Sequence, residues 1–226
     1  FPDIYNMTNN GNGLHVLPHW ESFEQTMASS CGISSTLNTL HYLGYDLTQL
    51  SDTVERIMKD HNIDGPEDLK VASNFDILQN IVNGIDEDDH SKMQEAIVAI
   101  YALNDTYFSS EDGYLDVRGL SGFNNYGGVG AGNLSNVPKE IGFKNTQFGR
   151  YYSSTYKTKG ESCMPFPTYD SFLNFVITNI DAGQPIIFCG PNHWRVIMGI
   201  DTMGTADTRD DIVFLGDSSD GWDHFQ

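Results

Sequence analysis

The feature that most narrows what this chain can fold into is its last quarter, where three apolar runs follow one another with short polar breaks. They are Ile186 to Cys189, His193 to Asp201 and Asp211 to Asp217, separated by Gly190-Pro191-Asn192 and by the polar stretch 202–210. Runs of that length, rich in Ile, Val and Phe and bounded by turn residues, predict strands. The first of them reads as a buried strand. A helix precedes them. Thr168 or Asp170 can cap it, Phe172, Phe175, Val176 and Ile180 form its apolar side, and Gly183 ends it.

The first half of the chain has a different period. Ile33, Leu37 and Leu40 recur at helical spacing, with Ser29 or Ser30 as cap and Gly44 as stop. A second helix is expected over 48–60, with Leu50, Val54, Ile57 and Met58 facing inward, and Gly65-Pro66 breaks the pattern. Short helices are expected near 67–83 and 91–103. Helices therefore crowd the N-terminal half and strands the C-terminal half, which indicates an α+β fold without internal repeats. With no long linker, the expectation is one domain over 1–226 made of two lobes sharing a cleft. Residues 1–20, rich in Asn and Gly, read as an irregular arm, 21–110 as a mainly helical lobe and 111–226 as a mainly β lobe. Tyr114 to Val117 reads as a short strand, and Ile141 to Tyr152 as containing strand. Residues 153–167 read as loop. Residues 119–132 hold six glycines, but neither the P-loop lysine nor the dinucleotide-binding order, so a surface loop is the reading there.

Composition excludes several classes of function. The 226 residues carry 31 acids against 12 bases, a formal charge of −19. Nucleic-acid and anionic-membrane binding rest on Lys and Arg neutralising phosphate, so neither fits such a chain. No apolar run reaches the roughly 18–20 residues of a spanning helix. Few lysines, many acids and many polar residues suit a secreted or cell-surface location, with the cytoplasm as the alternative. Beginning at Phe1 without a signal-peptide pattern, the chain is expected to be a trimmed or processed piece. Three cysteines, Cys31, Cys163 and Cys189, allow at most one internal bridge, and no zinc-type spacing is present.

Four residues form a chemical series along the chain. Cys31 falls at or just inside a helix start, where the positive end of the helix dipole favours an anion, so a thiolate there is a nucleophile. A buried structural thiol is the plainer alternative. His193 opens an apolar strand, where an imidazole can take and return a proton, or else be a core histidine bonded to a carbonyl. If 193–201 and 211–217 pair antiparallel, Asp217 comes beside the start of His193's strand and can hold the ring's tautomer. Otherwise it is a turn aspartate. Gln25, six residues before Cys31, can offer its amide to an oxyanion together with the Cys31 N–H.

The segments Gln25-x5-Cys31-Gly32, the Leu37/Leu40 helix with Gly44, His193-Trp-Arg-Val-Ile-Met-Gly-Ile-Asp201 and Leu215-Gly-Asp217 resemble the papain-like cysteine peptidase superfamily. The resemblance is to its bacterial branch, near the double-glycine leader peptidases and phytochelatin synthase. It covers a quarter to a third of the chain, and residues 60–165 add nothing to it. It implies a Cys31-His193-Asp217 triad with Gln25 in the oxyanion hole, and a helical lobe facing an antiparallel β lobe. Ser-Ser-Cys31-Gly-Ile departs from the Gly-Ser-Cys-Trp of true papains, so papain-type specificity does not transfer. Asp217-Ser replaces the Asp-Pro often seen in the bacterial branch.

The first functional expectation is a thiol-dependent hydrolase, a cysteine peptidase acting on peptide or protein through an acyl-enzyme. It needs no metal or organic cofactor. A transpeptidase of the phytochelatin-synthase type is one alternative, and a non-catalytic binding module on the same scaffold is another. Cys163 reads as a loop residue and Cys189 as strand packing, with a bridge between them possible in an oxidising compartment. His15, His19, His41, His61 and His90 read as surface histidines, and His224 as the second choice of base. The acidic run Asp86 to Asp89 lacks the spacing of a calcium loop and reads as solvated.

Overall fold

The computed structural model describes residues 4–27, 30–69, 71–103, 134, 136–144, 149–151, 164–166, 168–190, 193–219 and 223–225. The expectations for 114–117, the glycine-rich stretch 119–132 and Cys163 lie outside them. The described residues combine helices with an antiparallel sheet, an α+β arrangement. The chain divides into two compact units. One comprises 25–146, the other 1–24 together with 147–226.

The unit 25–146 is helical. Helix α1 spans Cys31–Tyr42, α2 Leu50–Asp60, α3 Asn74–Val82, α4 His90–Leu103 and α5 Asn136–Glu140. Each of the first four carries apolar residues at helical spacing. Ile33, Leu37, Leu50, Val54, Leu78, Ile81, Ile97 and Ile100 are completely buried. Helix α4 is the centre of this packing: it contacts α1, α2, α3 and α5, and every residue from Ala96 to Leu103 is buried. A helix enclosed on all sides has no need of a polar face, which explains its run of Ala, Ile and Val. The acidic run ends in a cap, with Asp89 accepting from the Lys92 N–H at 2.9 Å. α5 adds the buried Val137, and Glu140 binds Arg56 of α2 at 2.8 Å. These contacts join α5 to the helices that precede it in the unit 25–146.

Helix α1 ends as its sequence predicts. Gly44 adopts φ +74°, its N–H bonds to the His41 carbonyl at 2.9 Å, and the Tyr45 N–H bonds to the Leu40 carbonyl at 3.0 Å. This is the paired closure that glycine in the left-handed region allows.

The other unit is built on a five-stranded sheet: β1 (Leu14–Val16), β4 (Ile186–Gly190), β5 (His193–Asp201), β6 (Ile212–Gly216) and β7 (Asp223–Phe225). All its pairings are antiparallel. β5 is central. β6 lies along one edge of it, while β4 pairs with residues 193–197 and β1 with 199–201 along the other. Helix α6 (Tyr169–Asp181) packs against β5 and β1 and buries Val176 and Ile180. Its start is capped by Thr168, whose hydroxyl oxygen accepts from the Ser171 N–H at 3.2 Å. Two short strands, β2 (Gly149–Tyr151) and β3 (Met164–Phe166), pair parallel in a separate ribbon.

Three expectations are corrected here. Residues 1–20 are not an irregular arm throughout. Leu14 to Val16 form a strand on β5, Leu17 and Trp20 are buried, and His15 Nδ1 meets Asp181 of α6 at 2.7 Å. β4 is not a buried strand: it is half-exposed along its length and Cys189 is exposed. Its position explains this, since β4 pairs with β5 alone among the described strands. Finally, Met164 to Phe166 are strand where a loop was expected.

Candidate functional site

In the sheet unit, strand register assembles a charged cluster. Val196 pairs with Gly216. One step back along β5 and one step beyond β6 set Arg195 opposite Asp217. His193 and Arg195, two residues apart on one strand, share a face. Both reach the same carboxylate: His193 Nε2 lies 2.8 Å from Asp217 Oδ1, and Arg195 Nε donates to Asp217 Oδ2 at 2.7 Å. The Ser219 N–H also donates to Oδ1 at 2.9 Å, closing a two-residue turn on the aspartate. Asp217 is only 3% exposed.

Burial by itself would raise the Asp217 pKa. The hydrogen bonds from Arg195, from the Ser219 N–H and from His193 outweigh it and hold the carboxyl well below the usual carboxylate range. Asp217 is therefore an anion at neutral pH and accepts from every neighbour. The proton shared with His193 then belongs on Nε2, which leaves the lone pair of the neutral ring on Nδ1. Among the described residues the ring's hydrogen-bond partners are Asp217 and Ser219, whose Oγ is 3.1 Å away, and both sit on Nε2. The imidazole is thus oriented through Nε2, and among the described residues Nδ1 has no hydrogen-bond partner.

The backbone under this cluster is packed tightly. A Cβ on Gly216, the residue before Asp217, would meet Trp20 Nε1 at 2.5 Å and Ser22 Oγ at 2.9 Å. Trp20 donates to Ser22 at 2.8 Å, so the segment after β1 lies directly over the strand end that carries the carboxylate. Only glycine permits that approach.

In the helical unit, Cys31 is the first residue of α1 and is half-buried. Ser30 occupies the N-cap position as expected, but its side chain does not cap the helix. Its hydroxyl donates instead to the Met27 carbonyl at 2.8 Å. The first turn contains no acidic residue. The positive end of this twelve-residue helix thus has no cap from the Ser30 side chain and no carboxylate of its own first turn. Gln25 is partly exposed, and its Oε1 is buried with no hydrogen-bond partner among the described residues.

The structure brings His193 and Asp217 together, and places Gln25 and Cys31 in the other unit, on the segment leading into α1 and at its first residue. Two members of the sheet cluster went unnoticed in the sequence. Arg195 was identifiable from its spacing, since the residue two beyond His193 must share its face. Ser219 was identifiable as the second residue after an aspartate that ends a strand. The backbone of His224 is in β7, across from Leu215. Among the described residues no group of three His, Cys, Asp or Glu side chains could hold a metal ion, and no helix is long and apolar enough to cross a membrane. Comparison with protein-family models, curated proteins and solved structures finds no match.

Proposed function

We propose that this chain is a thiol-dependent hydrolase of papain-like type, a cysteine peptidase in which Cys31 is the nucleophile and His193 its base. The observation that carries the proposal is the orientation of His193: Nε2 engaged by an ionised, buried Asp217, and Nδ1 without a hydrogen-bond partner among the described residues. A core histidine satisfied by a backbone carbonyl would not have this arrangement. The complementary half is Cys31, the first residue of α1, at the positive end of the helix dipole.

In this reading, His193 Nδ1 takes the Cys31 proton as Sγ attacks the substrate carbonyl carbon. The C–S bond forms, and the carbonyl electron pair moves to oxygen. Gln25 Nε2 and the Cys31 N–H donate to that oxyanion. Collapse of the intermediate breaks the C–N bond, and the imidazolium returns its proton to the departing amine. Water, deprotonated by the same imidazole, then hydrolyses the thioester and releases the acid. Asp217 keeps the ring's tautomer and stabilises the imidazolium, and Arg195 keeps Asp217 ionised. The mechanism requires the thiol of one unit and the imidazole of the other to meet.

The test is peptide release from a denatured protein substrate, read by mass spectrometry, for wild type, Cys31→Ala and His193→Ala. Wild-type cleavage reduced about 10³-fold or more in each variant is the expected result. Cleavage that survives Cys31→Ala would overturn the proposal.

A further inference from the structure

Beyond the four residues of that proposed mechanism, the helical unit contains a buried polar group whose placement the packing alone does not explain. Gln94 lies on α4 and is 0% exposed, just before the buried apolar run that begins at Ala96. Its Oε1 accepts two hydrogen bonds. One comes from the Thr26 N–H at 3.0 Å, the other from Ser34 Oγ at 2.9 Å. Thr26 N belongs to the peptide that joins it to Gln25. Ser34 is one turn along α1 from Cys31 and is itself completely buried. One oxygen atom therefore ties the peptide next to Gln25 to the helix that begins with Cys31.

We propose that Gln94 is a positioning residue for the oxyanion hole, fixing the backbone at Gln25 relative to the start of α1. The inference rests on the hydrolase reading above, because it assigns a purpose to the separation between Gln25 and Cys31. The chemistry favours an amide for this task. A buried hydroxyl and a buried N–H both need an acceptor. A neutral carbonyl oxygen has two lone pairs to serve them without placing a charge in the core. Support of this kind is what an oxyanion hole requires, because its donors must be preorganised to within a fraction of an ångström. The loop has a second restraint at its other end, where Ser30 Oγ binds the Met27 carbonyl. Gln94 thus acts on the Gln25 end, which that bond leaves unrestrained.

Two probes separate this role from general stability. A short peptide aldehyde adds the Cys31 thiol across its carbonyl, forming a C–S bond while the proton passes to oxygen. The adduct places that oxygen where the oxyanion would sit. Iodoacetamide labels the thiol by displacing iodide and makes no oxyanion. For Gln94→Leu the expected result is aldehyde affinity weakened on the order of 10- to 100-fold, with iodoacetamide labelling near the wild-type rate. Ser34→Ala, which removes one of the two bonds and tests the idea should Gln94→Leu not fold, is expected to show the same split with a smaller loss. Unchanged aldehyde affinity in both folded variants overturns the inference. So does a parallel loss with both probes that tracks the unfolded fraction seen by circular dichroism. A wild-type protein that forms no aldehyde adduct overturns the hydrolase reading itself, and the inference with it.

Discussion

At the scale of single residues, Asp217 is where His193 and Arg195 converge. Its two oxygens are divided, Oδ1 to His193 and the Ser219 N–H, Oδ2 to Arg195. Removing Arg195 leaves a nearly buried carboxylate with one donor fewer, a loss of about 1–3 kcal/mol for a charge-assisted hydrogen bond. The pH dependence follows from the direction of the Asp217 shift. A carboxyl held low in the folded state adds stability that is complete above its unfolded value of about 3.9 and is lost as the pH falls toward the folded value. Arg195→Met should bring the folded pKa back up and shrink that contribution. Its acid-unfolding midpoint, followed by circular dichroism, should move to higher pH than wild type, and an unmoved midpoint would mean that Arg195 does not hold the carboxylate. The pairing of His193 with Asp217 was legible in the sequence, because two apolar runs joined by a polar turn bring the start of one beside the end of the other. Arg195 is legible by the same geometry, two residues beyond His193 on the same strand.

At the scale of elements, legibility depended on whether the signal was local. β5 runs from His193 to Asp201 as its sequence indicates, since a turn precedes it and a polar stretch follows. α1 and α6 begin and end at the capping and glycine positions that their sequences mark. The Gly44 closure can be tested alone, because nothing lies within 4 Å of where its Cβ would be. Gly44→Ala should therefore cost only backbone strain, about 1 kcal/mol in urea unfolding. A loss several times larger would mean that side-chain packing, not φ, is at stake there. β1 had no local signal: three residues amid Asn and Gly become a strand only by pairing with residues 199–201 at the other end of the chain. The exposure of Cys189 has a related reason, as an apolar run shows that a strand forms but not whether a neighbour covers its edge. The segment containing Gln94 was legible as helix, but the partners that make this residue interesting lie on another helix and a loop.

At the scale of the whole molecule, the charge of −19 sets how charged molecules approach. A strongly acidic protein attracts basic peptides and repels acidic ones, and salt screens both effects. For the proposed peptidase, the ratio of kcat/KM for a lysine-flanked peptide to that for a glutamate-flanked one should exceed unity at low salt. Raising the ionic strength from about 0.01 to about 1 M shortens the screening distance roughly tenfold and should bring that ratio down. A ratio indifferent to salt would place the preference in direct contacts instead. The proposed mechanism draws one group from the helical unit and another from the sheet unit, so the meeting of Cys31 and His193 is the claim on which the proposal depends. The most direct measurement is the rate of Cys31 alkylation by iodoacetamide near pH 6 and near pH 9, in wild type and in His193→Ala, with the labelled site confirmed by mass spectrometry. An ordinary thiol is almost wholly protonated at the lower pH. The account predicts rapid labelling of wild type near pH 6, slowed about tenfold or more in His193→Ala, with the two proteins alike near pH 9. Slow labelling near pH 6 that is the same in both proteins would contradict it.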